Sequence, residues 1–108
     1  MRRGSTPLIT LTNDDVSFDG YDSVVFSDYD EIIVTYRQRD TVIDIDSSDM
    51  TIGENSIEFR LTQDDTLAFR FSNQNVLRQV KLKDEDGHVI VSDLTKIAIE
   101  KALNEDVI

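Results

Sequence analysis

Cysteine is absent from this chain, and several other residue types that build chemical sites are rare. Without cysteine, the chain has no disulfide, no thiolate zinc site, no iron–sulfur cluster and no cysteine nucleophile. His88 is the only histidine, so a multi-histidine metal site is excluded as well. Only four glycines are present, and they form no phosphate-binding loop and no G-x-S-x-G sequence. These absences predict a protein that is not an enzyme and that uses no cofactor.

Basic residues are also scarce, since 11 lysines and arginines stand against 22 acidic residues. The resulting net charge of -11 repels phosphate backbones and anionic lipid head groups, so we expect neither nucleic acid nor a membrane as a partner. No apolar run is long enough to cross a bilayer. Arg2 and Arg3 are followed by Gly4-Ser5-Thr6-Pro7 rather than by the apolar run of an export signal. We therefore expect synthesis and residence in the cytoplasm.

A chain of 108 residues has the usual size of one domain and can bury a substantial core. Apolar residues recur at every second position along most of the chain, which is the pattern of half-buried β-strands. The best alternation predicts a shared interior built from Ile32, Val34, Tyr36, Ile57, Phe59, Leu61, Val80, Leu82, Ile97 and Ile99. We therefore predict one domain, spanning residues 1–108, that is made mainly of strands.

Turn residues separate the predicted strands. Pro7 opens a strand that suits a sheet edge, in which Ile9 and Leu11 share one face. Three hairpins are predicted, and their turns have the sequences RQRD at residues 37–40, GEN at 53–55 and DEDG at 84–87. Between the last two, Thr62 and Asp65 have the spacing of a capping box for a single helical turn.

The end of the chain fits two structures. Residues 93–103 fit a capped helix, or a strand with Thr95, Ile97 and Ile99 inward. We favour the strand to about residue 100, followed by a turn or short helix and a loose C-terminal tail. About seven short strands with turns near every tenth residue are typical of an antiparallel β-sandwich of immunoglobulin type. The predicted fold class is therefore all-β.

Residues 13–30 form an acidic segment that contains no lysine or arginine. Within it, Asp19-Gly20 has the composition of a small hairpin turn. We predict a polar surface loop inserted into the sandwich. A binding surface for a cation or for a basic partner is the other interpretation, because clustered carboxylates raise the local concentration of cations.

The letters DIDSSD at residues 44–49 are the most calcium-like stretch of the chain, with Asp44, Asp46 and Asp49 as candidate metal ligands. An EF-hand loop requires an oxygen ligand at position 5, glycine at position 6 and glutamate at position 12. Counted from Asp44, position 6 is Asp49, and Gly53 and Glu54 fall at positions 10 and 11. Asp44 and Asp46 also alternate with isoleucines, which puts them on the outer face of a strand. We therefore predict a solvated strand face that runs into a turn, and no metal site.

Four stretches carry a resemblance to a known family: RGSTP at 3–7, LTQDDTLAF at 61–69, DEDGHVIVSD at 84–93 and LNEDVI at 103–108. They resemble small proteins encoded in prophage tail and baseplate modules of Gram-positive bacteria, which have R-G-T-T-P-T, L-T-Q-E-E-T-L-x-F and D-G-x-x-x-x-S in this order. These proteins are in turn similar to the N-terminal immunoglobulin-like domain of phage baseplate upper proteins. The resemblance covers Arg3–Leu11 and Glu31–Ile108, while the acidic segment is longer and more acidic than the family pattern.

The resemblance implies a non-enzymatic structural or interaction protein of a phage or prophage, with no catalytic residues to carry over. Its implied partners are other phage tail or baseplate proteins, and its implied place after assembly is the virion. The resemblance is also compatible with a homo-oligomer. The alternative is a β-sandwich that binds a small ligand, either calcium or a carbohydrate. The absence of tryptophan counts against the carbohydrate version.

Overall fold

The computed structural model describes Met1 and residues 3–69 and 75–98. The strands are β1 (Leu8–Thr12), β2 (Glu31–Gln38), β3 (Thr41–Asp46), β4 (Thr51–Ile52), β5 (Ser56–Arg60), β6 (Val76–Lys83), β7 (Val89–Val91) and β8 (Thr95–Ile97). One helix, α1 (Gln63–Ala68), and two 3₁₀ turns, Phe26–Asp28 and Ser47–Asp49, complete the described elements.

The strands form two antiparallel sheets. The three-stranded sheet has the order β1-β5-β4, and the five-stranded sheet has the order β3-β2-β6-β7, with β8 also paired to β6. In immunoglobulin lettering these orders are B-E-D and C′-C-F-G, and the letters follow the chain in sequence. The predicted all-β, immunoglobulin-like sandwich is therefore confirmed. Among the described strands, none occupies the position of strand A beside β1.

One core lies between the two sheets. The ring of Tyr36 in β2 meets the ring of Phe59 in β5 edge to face, with centroids 6.4 Å apart. The buried apolar residues are Leu11, Val16, Phe18, Val24, Phe26, Ile32, Val34, Tyr36, Ile45, Ile57, Phe59, Leu61, Phe69, Val76, Val80 and Leu82. The predicted interior is confirmed for its first eight members. Ile97 is half-buried against this core, and Ile99 lies outside the described residues.

The turns follow their local chemistry. All three predicted hairpins form, as β2–β3, β4–β5 and β6–β7. In the last of them Gly87 has a φ of 83°, a left-handed conformation that glycine adopts without steric cost. The predicted capping box is present at the start of α1, since Thr62 accepts a hydrogen bond from the Asp65 N–H and Asp65 accepts one from the Thr62 N–H.

The last strand is in two pieces because its register shifts by one residue. Leu82 pairs with Ile90, so Arg78, four residues earlier in β6, would pair with residue 94 if the register continued. It pairs with Thr95 instead. This is the signature of a β-bulge, which inserts one extra residue and bends the strand. The strand alternative for residues 93–103 is thus right at residues 95–97. Residues 99–103 and the predicted loose tail lie outside the described residues.

The acidic segment differs from the predicted surface loop. Its carboxylates are exposed, but Val16, Phe18, Val24 and Phe26 are buried in the shared core. Backbone hydrogen bonds tie it to both sheets: the Phe26 N–H donates to the Glu54 carbonyl, and the Asp93 N–H donates to the Ser17 carbonyl. Residues 13–30 therefore close one end of the sandwich. The prediction overlooked that the apolar residues occur in pairs two positions apart, which turns both members of a pair inward.

Candidate functional site

Carboxylates collect at one end of the five-stranded sheet. Antiparallel pairing places Glu31, at the start of β2, opposite Lys83, at the end of β6. It also brings Asp46, at the end of β3, opposite Ile33. The three strand ends enclose an open cleft of about 570 Å³ lined by Asp30, Glu31, Asp46, Ser47, Ser48, Lys83, Asp84 and Glu85. We call its five carboxylates, Asp30, Glu31, Asp46, Asp84 and Glu85, the acidic end.

The three aspartates singled out in DIDSSD do not converge. Asp44 is on the outer face of β3, where it accepts a hydrogen bond of 2.6 Å from the Thr35 hydroxyl. Asp46 caps the 3₁₀ turn and accepts hydrogen bonds from the hydroxyl and the N–H of Ser48. Asp49 is exposed and does not line the cleft. Only Asp46 belongs to the acidic end, and the predicted outward strand face followed by a turn describes the segment.

A different group of possible cation ligands lies on the β6–β7 turn. One ligand atom each of Asp84, Asp86 and His88 lies within 4.8 Å of the others, and all three side chains are at least partly exposed. Asp84 accepts a hydrogen bond of 2.9 Å from the His88 N–H, and its Oδ2 lies 3.3 Å from His88 Nδ1. Among the described residues this is the group with cation-binding geometry. Its sequence signal is two aspartates and a histidine at alternate positions of a predicted turn. The prediction did not use this signal.

Hydrogen bonds favour the ionised form of two carboxyls of the acidic end. Those donated by the hydroxyl and N–H of Ser48 lower the pKa of Asp46 below its usual 3.8. The N–H of His88 does the same for the pKa of Asp84. A lowered pKa suits a fixed negative charge and not a group that gives or takes protons near neutral pH. The acidic end can therefore attract cations or a basic surface.

Comparisons with protein-family models, with curated proteins and with solved structures found no match. Within the described ranges, no helix has the length and apolar character needed to cross a membrane.

Proposed function

We propose that this chain is a non-enzymatic structural and interaction module of a phage or prophage, associated with its tail or baseplate. The proposal rests on the family resemblance of residues 3–7, 61–69, 84–93 and 103–108. It is supported by an immunoglobulin-like sandwich in which sheet edges and charged surfaces are the prominent exposed features. The observation that carries it is the edge of β1.

None of the described strands pairs with the outer edge of β1, and this edge has the chemistry to accept an additional strand. Toward β5, Pro7 accepts a hydrogen bond from Leu61, and Asn13 donates one to Asn55. Because hydrogen-bonding direction alternates along an antiparallel strand, the N–H groups of residues 8, 10 and 12 point away from β5. The Thr12 N–H donates to Asp15, which leaves the N–H groups of Leu8 and Thr10 facing the edge.

The segment that precedes β1 does not cover this edge as strand A would. It crosses α1 instead: Arg3 donates to the Leu67 carbonyl at 2.8 Å. The Thr66 hydroxyl donates to the Ser5 carbonyl at 2.7 Å. An exposed edge of this kind binds an extended peptide by β-augmentation, in which main-chain hydrogen bonds supply the affinity. A tail or baseplate protein with an exposed extended segment is the partner that we propose.

The experiment is co-purification of the tagged protein with the products of the genes that neighbour its own, among which the proposal expects tail or baseplate proteins. Thr10→Pro removes the outward N–H without removing a bond to β5, and proline is tolerated at such edge positions. We expect the wild-type protein and a matched Thr10→Ala control to retain the partner, and Thr10→Pro to lose it at an unchanged melting temperature. A folded wild-type protein that retains none of these proteins would contradict the proposal.

Binding of a calcium ion is a second candidate, favoured by the grouping of Asp84, Asp86 and His88. A ligand that binds only the folded state stabilises it by about 2.7 kcal/mol at a hundredfold excess over Kd. If millimolar calcium raised the melting temperature, and Asp84→Asn with Asp86→Asn abolished the rise, ligand binding would replace assembly as the better account.

A further inference from the structure

The β6–β8 half of the outer face of the five-stranded sheet combines lysines with exposed valines, whereas Glu31, Asp44 and Asp46 lie on its β2–β3 half. Val80 and Leu82 point into the core, so Lys81 and Lys83 point outward. Pairing in the sheet places Val91 beside Lys81 and Val89 beside Lys83. These two valines are 41% and 48% exposed, respectively. Across the bulge, Lys96 of β8 pairs with Leu77 on the same outer face.

This face is unusual for the chain that carries it. We call Lys81, Val89, Val91 and Lys96 the basic face. In the part of the chain that the structure describes, neither lysine forms an ion pair or a side-chain hydrogen bond. The face thus presents apolar surface beside cations in a molecule of net charge -11. Exposed apolar residues rimmed by charge are a common feature of protein–protein interfaces.

We propose that the basic face docks onto the acidic end of a second copy of this chain. The inference deepens the proposed assembly function and names one partner. The two surfaces are complementary, because the acidic end sets five carboxylates against Lys83 alone. A nucleic acid would also be attracted to the two lysines, but the remaining surface of the molecule would repel it.

The basic face and the acidic end adjoin on the outer face of one sheet, because Lys83 lies opposite both Val89 and Glu31. Two copies therefore fit together about a two-fold axis, with the basic face of each copy against the acidic end of the other. The net charges of two copies repel each other, but at about 0.15 M salt the Debye length is only about 8 Å. Charge pairs in direct contact are screened much less than the repulsion between whole molecules. Self-association is therefore expected at physiological salt and micromolar or higher concentration.

Two variants with opposite charge changes test the geometry by sedimentation velocity. Lys81→Glu with Lys96→Glu reverses the basic face, and Asp30→Lys with Glu85→Lys reverses part of the acidic end. Like charges placed in contact oppose association, so each variant alone should associate at least about tenfold more weakly than the wild-type protein. In an equimolar mixture of the two variants, the intact acidic end of one meets the intact basic face of the other, and the two reversed surfaces again carry opposite charges. We therefore expect the mixture to form closed heterodimers.

A matched control carries the same change in net charge at other places. Asp22→Lys with Asp40→Lys adds as much positive charge as the acidic-end variant, but at exposed positions outside the cleft. This control should associate as strongly as the wild-type protein. A wild-type protein that stays monomeric at every concentration would overturn the inference, and so would a mixture that stays monomeric. Binding of heparin to the basic face without self-association would also overturn it, in favour of an anionic polymer.

A failure of the self-association test can be told apart from a failure of the proposed function. The Thr10→Pro test concerns the edge of β1, which is in the three-stranded sheet, whereas the basic face is on the other sheet. A protein that captures tail proteins through β1 but does not self-associate keeps its proposed function and loses only this inference.

Discussion

Among single residues, Asp46 links the local structure of the acidic end to the stability of the fold. Its carboxylate accepts a hydrogen bond of 2.9 Å from the Ser48 N–H and another from the Ser48 hydroxyl. These bonds favour the charged form and hold the pKa of Asp46 below 3.8 in the folded protein. A carboxyl whose pKa is lowered by folding stabilises the fold above its unfolded pKa. That stabilisation is lost as the pH falls through the folded pKa.

We predict that Asp46→Asn flattens the acid limb of the stability profile. Asparagine also caps a turn but does not titrate, so the variant should lose less free energy of unfolding than the wild-type protein below about pH 4. Urea denaturation from neutral pH to about pH 3 measures this difference, with the exposed Asp49→Asn as the control. Parallel profiles for wild type and Asp46→Asn would show that the hydrogen bonds to Ser48 do not contribute to folding.

The residues of the acidic end could be predicted from the sequence only in part. Alternation with isoleucines correctly predicted that the side chains of Asp44 and Asp46 point outward, because side-chain direction in a strand is a local property. The meeting of Asp46 with Asp84 and Glu85 could not be predicted. It depends on the pairing of β2 with β6. These strands are separated in sequence by β3, β4, β5 and α1, and no local turn encodes their pairing. The grouping of Asp84, Asp86 and His88 could have been predicted from the sequence, since a single turn brings these three residues together.

For whole elements, the acidic segment at residues 13–30 is the instructive case. Six of its 18 residues are aspartates, yet four of its apolar side chains complete the core, and Phe26 is fully buried. Strands joined by short turns were correctly predicted because pattern and turn chemistry agree locally. The acidic segment has little regular structure, so its sequence signal of burial is limited to the two apolar pairs, Val16 with Phe18 and Val24 with Phe26, and tertiary contacts determine that both pairs turn inward. The bulge in the last strand was missed for the same reason, since its register is set by β6.

We predict that Phe26→Ala destabilises the domain by about 3 to 5 kcal/mol, the usual cost of truncating a buried phenylalanine. The adjacent Val25 is 39% exposed, and Val25→Ala should cost much less. Both values come from urea denaturation. A small effect at both positions would mean that the segment is peripheral, as the sequence pattern alone had suggested.

Across the whole molecule, charge imbalance is the dominant property. With 22 acidic and 11 basic residues, at least 11 acids have no basic partner however the ions are paired. The molecule measures 45 × 25 × 22 Å, so repulsion between opposite sides is felt when the Debye length reaches about 30 Å, near 0.01 M salt. Folding brings these charges closer together than they are in the unfolded chain, and the repulsion therefore opposes folding.

The last prediction is that sodium chloride stabilises the fold. Between about 0.01 M and 0.15 M the Debye length falls to about 8 Å, which is shorter than every dimension of the molecule, so long-range repulsion is largely removed. The melting temperature should therefore rise over this range. A variant with Asp22→Asn, Asp28→Asn and Asp40→Asn, all exposed positions, should melt higher at low salt and respond less to added salt. A flat or falling wild-type profile would instead mean that local attractive pairs, which salt also weakens, outweigh the general repulsion. Measurement at low protein concentration separates this effect from self-association, because only the latter depends on concentration.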